Sequence, residues 1–363
     1  MRILGIETSC DETAAAVVET TRDAAKPWAV RSSVIASQAD IHREWGGVVP
    51  EIASRQHVAD ICGVVERALA DARLQVTDLD AVAVTQGPGL VGSLLVGVSF
   101  AKAFAAARGL PVVAVHHLAG HIESLVLEHG ELPLPAVVLV VSGGHTSLYF
   151  IREPGDYRLV GQTRDDAAGE AYDKVAKLLG LGYPGGPAVD RLAGDGRDDA
   201  VALPLPRFTH KDRNEAPADL KRDEFPPHVR KMAEFSFSGL KSAAVRHLEQ
   251  HGPGNVVDFC ASFQRVVVGT LVDRLFAVAG ALGARSVGIA GGVSANGRLR
   301  RDAAARGKRE GLPVFAPPLS LSTDNAAMIA AAGLRQLSIR GASSLDFNAQ
   351  ASMSISGADG HLH

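Results

Sequence analysis

The sequence predicts an α/β protein built from two similar halves with a ligand cleft between them. Short β-branched runs alternate with helical patterns in the first third of the chain, and the same order of elements starts again near Pro135. With 363 residues, of which 46% are hydrophobic, the chain is long enough for two cores. We predict a first half at residues 1–134, a second half at residues 135–340 with a charged insertion at about 194–232, and a tail at residues 341–363.

The first half reads as a hairpin followed by alternating strands and helices. The runs "RILGIE" and "AAAVVE" are typical of strands around the polar turn "TSCDET", and "VRSSVIAS" predicts a third strand. In "VPEIASRQHVADICGVVERALADA" apolar residues recur at helical spacing, with Pro50 in the first turn. A strand from Ala81 to Thr85, the Gly-rich "GPGLVGS", a helix to about Arg108 and the strand "PVVAVH" follow.

The second half shows the same order, although no residue-level repeat accompanies it. The run "AVVLVVSGGHTSLYFI" predicts strand, Gly-rich turn and strand, "YRLVGQT" a third strand, and "DDAAGEAYDKVAKLLGLG" a helix. Near the end, "SVGIAGGVSANGRLRRDAAARG" and "PVFAPPLSLSTDNAAMIAAAGLRQL" each predict strand, loop and helix. The insertion is charged and Pro-rich, which indicates solvated loops and short helices.

Composition excludes several classes of protein. A formal charge of -3, from 37 basic and 40 acidic residues, argues against a general polyanion binder, although the basic run "RLRRDAAARGKR" is either the wet face of a helix or a local polyanion contact. The three cysteines, Cys10, Cys62 and Cys260, form no C-x-x-C pair, which fits a reducing compartment. The strand pattern leaves no room for a signal peptide, and we find no run near the ~20 apolar residues of a membrane span. We therefore expect a soluble cytoplasmic protein.

The stretch "HHLAGHIE" indicates a metal site. On a helix, His117 and His121 share one face with Cβ atoms about 5–6 Å apart, and they follow the carboxyl end of an apolar strand, where α/β folds place their sites. Histidines at this spacing also occur by chance. Two imidazoles and one carboxylate would suit a transition metal with open positions, and the spacing does not identify the carboxylate. Because position 118 is leucine, the H-E-x-x-H pattern of zinc proteases is absent.

Gly-rich turns indicate a nucleotide cleft. The turns "SGGHT" and "GIETSCDET" join strand pairs, and "AGGVSAN" follows a further strand. Each could be a simple hairpin or loop, but together they are better explained as phosphate-binding turns, in which glycine lets the backbone approach. Walker and G-x-G-x-x-G patterns are absent, which disfavours P-loop ATPases and Rossmann dehydrogenases. Asp173 and Asp190, on neighbouring predicted helices, are either ribose-binding acids or surface acids.

Nine motifs occur in order and resemble one family. They are "ETSCDET", "GGVVPEIASRQH", "GPGLVGSLLVG", "HHLAGH", "VSGGHT", "DDAAGEAYDKVAKLLGLGYPGGP", "FSFSGLKSA", "GGVSAN" and "STDNAAMIA". From about residue 3 to about residue 335 the chain resembles the tRNA N6-adenosine threonylcarbamoyltransferases, called TsaD in bacteria and formerly labelled O-sialoglycoprotein endopeptidases. The resemblance implies an actin/Hsp70-like (ASKHA) fold with a nucleotide and metal cleft between two duplicated halves. It also implies transfer of the threonylcarbamoyl group from L-threonylcarbamoyl-adenylate to N6 of the adenosine 3′-adjacent to the anticodon in tRNAs reading ANN codons, with release of AMP.

The resemblance also implies roles for particular residues. The metal ligands fall on His117, His121 and Asp324, and the family's metal is usually given as iron, with zinc or magnesium also discussed. The substrate-binding residues fall on Val140, Val141, Ser142, Gly143, Gly144, Asp173, Gly186, Asp190 and Asn296.

A general base is our own addition to these roles. The exocyclic amine of adenosine is a poor nucleophile and must lose a proton as it bonds, so a nearby carboxylate would help. Asp11 and Glu12, on the first Gly/Ser/Thr turn, are the candidates for a catalytic role, and turn-capping acids are the alternative.

Partners and rival functions follow from the same reading. An acidic-leaning chain grips a tRNA anticodon loop only with local positive surface, so other subunits would help. The resemblance implies an inactive paralogue (TsaB-like) and a small ATPase (TsaE-like). The alternatives are a carbamoyltransferase with a small-molecule or protein acceptor, an actin-fold small-molecule kinase, and a non-enzymatic scaffold. The histidine pair and "STDN" argue against the kinase.

Overall fold

The computed structural model describes residues 1–205, 224–252 and 254–355, and these form two compact α/β units. Of these described residues, the first unit comprises 1–132, 153–157 and 317–355, and the second comprises 133–152, 158–205, 224–252 and 254–316. Part of the predicted charged insertion, at residues 206–223, lies outside the described residues, as do residues 356–363 of the predicted tail.

The described part of the chain contains the following elements. The strands are β1 (Arg2–Glu7), β2 (Glu12–Thr20), β3 (Trp28–Ser37), β4 (Ala81–Gly87), β5 (Val112–His116), β6 (Ala136–Val141), β7 (Thr146–Ile151), β8 (Tyr157–Gln162), β9 (Ser286–Ala290) and β10 (Val314–Phe315). The helices are α1 (Ala39–Arg43), α2 (Pro50–Ala72), α3 (Val91–Arg108), α4 (His117–His129), α5 (Ala168–Leu178), α6 (Gly185–Ala193), α7 (Pro227–Met232), α8 (Ser238–His251), α9 (Val256–Ala281), α10 (Gly297–Glu310), α11 (Leu319–Ser322) and α12 (Ala326–Arg340). Short 3₁₀ turns lie at Val76–Asp78 and Gly292–Ala295.

Each unit contains a five-stranded sheet, and the two sheets have the same strand order. The first runs β3-β2-β1-β4-β5 and the second, read from its matching edge, runs β8-β7-β6-β9-β10. In the first sheet β1 pairs antiparallel with β2 and parallel with β4. In the second sheet β6 pairs antiparallel with β7 and parallel with β9. The duplicated α/β architecture predicted from the order of elements is therefore confirmed.

The first sheet is covered by helices on both faces. Alternate residues of β1 point to opposite sides of the sheet, so they contact different helices. Leu4 and Ile6 join the apolar core that α2 and α3 close. Gly5 faces α12, where an added Cβ would lie 2.2 Å from the carbonyl oxygen of Ala326. Gly333 of α12 makes a matching close approach to β4, since a Cβ there would lie 2.5 Å from the Cβ of Ala83.

This packing assigns α12 to the first unit, whereas the division drawn from the sequence placed it in the second half. The two divisions differ because Gly5 on β1 and Gly333 on α12 let this helix approach the first sheet closely. The described tail also belongs to this unit. The backbone N–H of Ser343 donates to the carbonyl of Val112 (2.8 Å), that of Gln350 donates to the carbonyl of Gln86 (2.9 Å), and the Lys102 ammonium lies over the Phe347 ring.

One helix within the described residues, α3, is long and apolar enough by length and composition to cross a membrane, which the reading of the sequence did not anticipate. It packs against β4 and α2 in the first unit, where Leu94, Val98 and Ala101 are buried. Its apolar face is therefore used within the α/β architecture.

Candidate functional site

Helix α4 begins directly after β5, so its first turn lies at the carboxyl end of a strand. His116 caps the helix: its Nδ1 accepts a hydrogen bond from the backbone N–H of Leu118 (3.2 Å), and its Nε2 donates to the carbonyl of Met353 (3.0 Å). Burial lowers the pKa of His116 to about 4, so the ring is neutral at pH 7. His116 thus has a structural role separate from the next two histidines.

The structure brings together the three residues that the resemblance assigns to a metal. His117 and His121 lie one turn apart on α4, with ring centroids 4.8 Å apart, and the Nε2 atoms lie 3.5 and 3.2 Å from Oδ1 of Asp324. One ligand atom from each residue lies within 4.8 Å of the others. Asp324 is positioned by its neighbour Asn325, whose side chain accepts from the backbone N–H of Met328 (2.9 Å) at the start of α12.

His121 supplies an observation that points to a metal. Its side chain is fully buried, and among the described residues neither ring nitrogen has a hydrogen-bond partner, although Nε2 lies close to Asp324. An unsatisfied buried polar atom is costly, and coordination of a cation by Nε2 would remove that cost for the nitrogen that faces Asp324. Two imidazoles and one carboxylate also form a donor set that suits a divalent transition metal. The residues present therefore fit the group.

Burial and the neighbouring carboxylates act against each other at both rings, and the balance shifts the two pKa values in opposite directions. Burial alone would lower the pKa of His117, but the carboxylates of Asp324 and Glu7 outweigh it and raise that pKa to about 9. Burial dominates at His121 and lowers its pKa. The cluster therefore concentrates negative charge where a cation, or a proton in its absence, is stabilised.

Glu7, which the reading of the sequence did not single out, supports this cluster. It ends β1 fully buried, and its Oε2 lies 3.1 Å from Nδ1 of His117 and accepts from the Thr85 hydroxyl (2.6 Å). Its Oε1 accepts from the backbone N–H of Ser9, whose hydroxyl lies 3.2 Å from the same Nδ1. These contacts occupy Nδ1 and leave Nε2 of His117 for the metal, as carboxylates behind metal-bound histidines do. The only sequence signal was an acid at the end of a strand.

Asp11 and Glu12, the acids proposed as general bases, lie on the turn between β1 and β2 and at the start of β2. Asp11 is buried and Glu12 is half-buried. Burial, together with the nearby carboxylates of Asp324 and Asp11, raises the pKa of Glu12 well above its ordinary range. Glu12 is therefore electrostatically coupled to the metal-ligand cluster within the first unit.

The residues predicted to bind substrate lie in the second unit, and five of them are consecutive. Val140 and Val141 end β6, and the turn 142–144 follows. The backbone N–H of Ser142 donates to the carbonyl of His145 (2.8 Å), which closes the hairpin. Gly143 and Gly144 are exposed, and an added Cβ on either would meet nothing within 4 Å. The turn thus presents backbone rather than side chain.

Asp190 and Asn296 belong to one polar network centred on Gln264, which was not predicted. The Gln264 amide donates to Asp190 (2.9 Å), and its oxygen accepts from the Asn296 amide (2.9 Å). Asp190 also accepts from the backbone N–H of Gly297 (2.9 Å), at the start of α10. A buried glutamine inside the apolar helix α9 was the available signal. The network fixes the junction of α6, α9 and α10.

Asp173 and Gly186 lie at a second junction of this unit. The Asp173 carboxylate accepts from the backbone N–H of Gly185 (2.8 Å) at the start of α6, next to Gly186. Close approach also occurs at Gly291, where φ is +86° and an added Cβ would lie 2.5 Å from the carbonyl oxygen of Val141. The structure thus places the predicted substrate-binding residues on β6 and the turn after it, on α5 and α6, and at the start of α10, all within the second unit.

The basic run after Asn296 forms helix α10, and two of its arginines are paired. Arg298 contacts Asp198 (2.6 Å) and Asp302 (3.3 Å), and Arg306 contacts Asp273 (3.3 Å). These ion pairs fit the wet face of an amphipathic helix, one of the two readings left open by the sequence.

Comparison with known proteins identifies the family. Residues 29–331 match the profile of TsaD, described as tRNA N6-adenosine threonylcarbamoyltransferase. A protein of that name from Anaeromyxobacter dehalogenans is 52% identical over 93% of this chain and 94% of its own length. Another from Syntrophomonas wolfei is 49% identical over 97% of each chain.

Solved structures support the fold class at low sequence identity. Component A of the (R)-2-hydroxyglutaryl-CoA dehydratase of Acidaminococcus fermentans matches with a TM-score of 0.50 and 12% identity, over 92% of this chain and 96% of its own. Full-length HypF matches with a TM-score of 0.56 and 13% identity, over 94% of this chain and 56% of its own. These are actin/Hsp70-like (ASKHA) proteins, as the resemblance implied. The chain is therefore a transferase that belongs to the tRNA N6-adenosine threonylcarbamoyltransferase family.

Proposed function

We propose that this enzyme takes the threonylcarbamoyl group from L-threonylcarbamoyl-adenylate and places it on N6 of the adenosine 3′-adjacent to the anticodon, in tRNAs reading ANN codons. The observation that carries the proposal is the cluster of His117, His121 and Asp324 in a member of this family, with both ring nitrogens of buried His121 unsatisfied among the described residues. Donor, acceptor position and metal assistance are the parts that we propose beyond family membership.

The chemistry requires a leaving group and a proton acceptor. The donor is a mixed anhydride of a carbamate and a phosphate. The lone pair of N6 attacks the carbamoyl carbon and forms a C–N bond, the bond from that carbon to the phosphate oxygen breaks, and AMP leaves with the electron pair. The amine then carries one proton too many, which Glu12 accepts in our proposal. Burial and the carboxylates of Asp324 and Asp11 raise the pKa of Glu12, so it binds a proton more tightly than an ordinary glutamate does, which suits this role.

The metal ligands have a separate role. A divalent metal held by His117, His121 and Asp324, which we propose to be Fe²⁺ with zinc or magnesium as alternatives, would supply Lewis-acid stabilisation of charge on the carbamoyl carbonyl or the leaving phosphate. Glu7 orients His117 through Nδ1, and the buried location of His121 keeps water away from its ring.

The second unit supplies the residues that we assign to the adenylate. The exposed glycines Gly143 and Gly144 offer their backbone N–H groups to phosphate oxygens without obstruction by side chains. Asp173 and Asp190 are acceptors suited to ribose hydroxyls. Val140, Val141, Gly186 and Asn296 complete the set carried over from the resemblance.

Partners are expected because the net charge of -3 provides little general attraction for tRNA. We propose that the chain acts in the cytoplasm on the anticodon loop, whose single-stranded bases can be splayed into a pocket. We also propose that it works with an inactive TsaB-like paralogue and a small TsaE-like ATPase.

The experiment follows labelled threonine into tRNA in a mixture with the adenylate-forming enzyme and both partners. Two transcripts are compared: a tRNA reading an ANN codon, and the same tRNA with guanosine in place of the adenosine 3′ of the anticodon. We expect label in the first transcript only, and none with His117→Ala. If neither transcript is labelled while a characterised family member labels the first, the proposed acceptor is wrong, and a small-molecule or protein acceptor becomes the better reading.

A further inference from the structure

Three buried polar side chains of the first unit have no role in the chemistry above. Gln38 is the residue before α1, His42 lies within α1, and His57 lies within α2. The two histidines are fully buried and Gln38 is 1% exposed. Buried polar groups are normally satisfied by hydrogen bonds, so their partners indicate what they do.

The hydrogen bonds of His42 and Gln38 all run from donor to acceptor in one direction, from Val49 towards His57. The backbone N–H of Val49 donates to Nδ1 of His42 (3.3 Å), so Nδ1 is an acceptor and the ring N–H lies on Nε2. That nitrogen donates to Oε1 of Gln38 (3.2 Å), which fixes the orientation of the Gln38 amide. The amide nitrogen then faces the carbonyl of Ala53 and Nδ1 of His57, at 3.4 Å from each.

His57 continues the same direction. Its Nε2 lies 3.0 Å from the carbonyl oxygen of Cys10, which can only accept, so the proton lies on Nε2. Nδ1 is then an acceptor, and its lone pair is shared between the Thr13 hydroxyl (2.8 Å) and the more distant Gln38 amide nitrogen (3.4 Å). Burial lowers the pKa of His57, in agreement with a neutral ring.

At its inner end, this series of hydrogen bonds contacts the segment that carries Asp11 and Glu12. His57 binds the carbonyl of Cys10, and the backbone N–H of Gln38 donates to the carbonyl of Asp11 (3.0 Å). The outer end is the turn between α1 and α2, where Trp45 is 61% exposed.

We propose that His42, Gln38 and His57 form a directional hydrogen-bond relay that positions the Cys10–Glu12 loop and couples it to the surface turn between α1 and α2. They are positioning residues, since none lies among the groups assigned to substrate or metal. The consequence for transfer rests on the proposed function, whereas the consequence for the loop does not.

The first test uses two variants that differ in which ring nitrogen they replace. In His57→Gln the side-chain amide nitrogen reaches the position of Nε2 and can still donate to Cys10, whereas in His57→Asn it reaches only the position of Nδ1. We expect faster amide hydrogen exchange in the peptide covering residues 10–13 for His57→Asn, and near wild-type exchange for His57→Gln. We also expect kcat to fall about 10- to 100-fold in His57→Asn, with metal content and donor KM unchanged.

The second test asks whether the outer histidine acts through the inner one. His42→Asn removes the donor to Gln38, and we expect faster exchange in residues 10–13 although His42 does not touch them. The double variant His42→Asn/His57→Asn should lose no more activity than His57→Asn alone, because coupled groups are non-additive.

The proposal is wrong if His42→Asn leaves exchange in residues 10–13 unchanged, if both His57 variants are equally impaired, or if the two losses multiply. If His57→Asn does not fold, His42→Asn decides by exchange alone. Exchange needs no substrate, so a wild-type enzyme without transfer activity would overturn the proposed function and leave this test intact.

Discussion

The two units place turns of opposite character at the same position of the same strand order. The turn between β1 and β2 is polar and mostly buried, with Thr8 and Ser9 almost inaccessible to solvent. The turn between β6 and β7 is rich in glycine, and Gly143 and Gly144 are exposed. In the first turn, side chains contact a functional residue, as Ser9 does with His117. In the second, backbone is what the turn offers.

This difference shows how a duplicated architecture is used for two chemistries. A hairpin that points side chains inward can support metal ligands, whereas a hairpin of glycines lets a phosphate approach. Removal of a side chain should therefore damage the first unit's function, whereas in the second unit an added Cβ should do damage where backbone lies close, as at Gly291.

The largest effect is expected at the metal ligands. His117→Ala should abolish transfer and remove bound metal, because two donors cannot hold the ion as three do. Metal content by mass spectrometry and transfer of labelled threonine would be measured on the same samples. His129→Ala, at the exposed end of the same helix, is the control and should retain both. Full metal content in His117→Ala would contradict the assignment.

A smaller loss is expected at the proposed base. Glu12→Gln should lower turnover by about 10²- to 10⁴-fold, the usual range for general acid–base catalysis, with metal content normal. Single-turnover assays with preformed adenylate would measure it. Glu19→Gln, near the other end of β2, is a matched control and should have little effect. Unchanged turnover in Glu12→Gln would leave Glu12 as a turn-capping acid.

The next effect concerns the support of His117. Glu7→Gln should weaken metal binding about 10- to 100-fold, because a neutral amide orients and polarises the imidazole less well than a carboxylate. Titration of the metal-free protein with Co²⁺, followed by its visible absorption, would measure this.

Glu123→Gln is the control for loss of a buried carboxylate in the same unit. Glu123 lies on the same helix as the metal histidines, but its carboxylate pairs with Arg335 (3.2 Å) and accepts from the Tyr157 hydroxyl. We expect this change to lower stability and leave Co²⁺ affinity unchanged. Equal affinity losses in the two variants would mean that Glu7 acts only through general stability.

The smallest effect is expected for a glycine substitution in the second unit. Gly291→Ala should destabilise the protein by about 1–3 kcal/mol, because it forces a side chain into backbone geometry that only glycine adopts easily. Gly292→Ala is the adjacent control, since its Cβ would meet nothing within 4 Å. Urea unfolding would measure both, and Co²⁺ affinity should be unchanged in each. A weaker metal site in Gly291→Ala would break the separation drawn between the units.

The features of the fold and site that depend on local spacing could be predicted from sequence. The pairing of His117 and His121 on one helix face follows from a four-residue interval, and helix α2 follows from its apolar period and Pro50. Duplication was visible in the order of strands and helices, and strand order confirmed it. Asp324 came only from the resemblance.

The remainder depends on contacts that no local pattern encodes. Glu7 and His117 are 110 residues apart in sequence and meet only because β1, β4 and β5 are neighbours in one sheet. Gln264 joins Asp190 to Asn296 across three helices. The association of α12 with the first sheet depends on Gly5 and Gly333 facing their partners, which requires the register of both elements.

The most direct test of the central claim is restoration of transfer by metal. Wild-type enzyme would be stripped by a chelator and titrated with Fe²⁺ under anaerobic conditions, with bound metal and labelled tRNA measured at each point. We expect label to rise in proportion to bound metal up to one ion per chain, and we expect no rise in His117→Ala. Full activity in the stripped wild type, or equal restoration in His117→Ala, would contradict this claim.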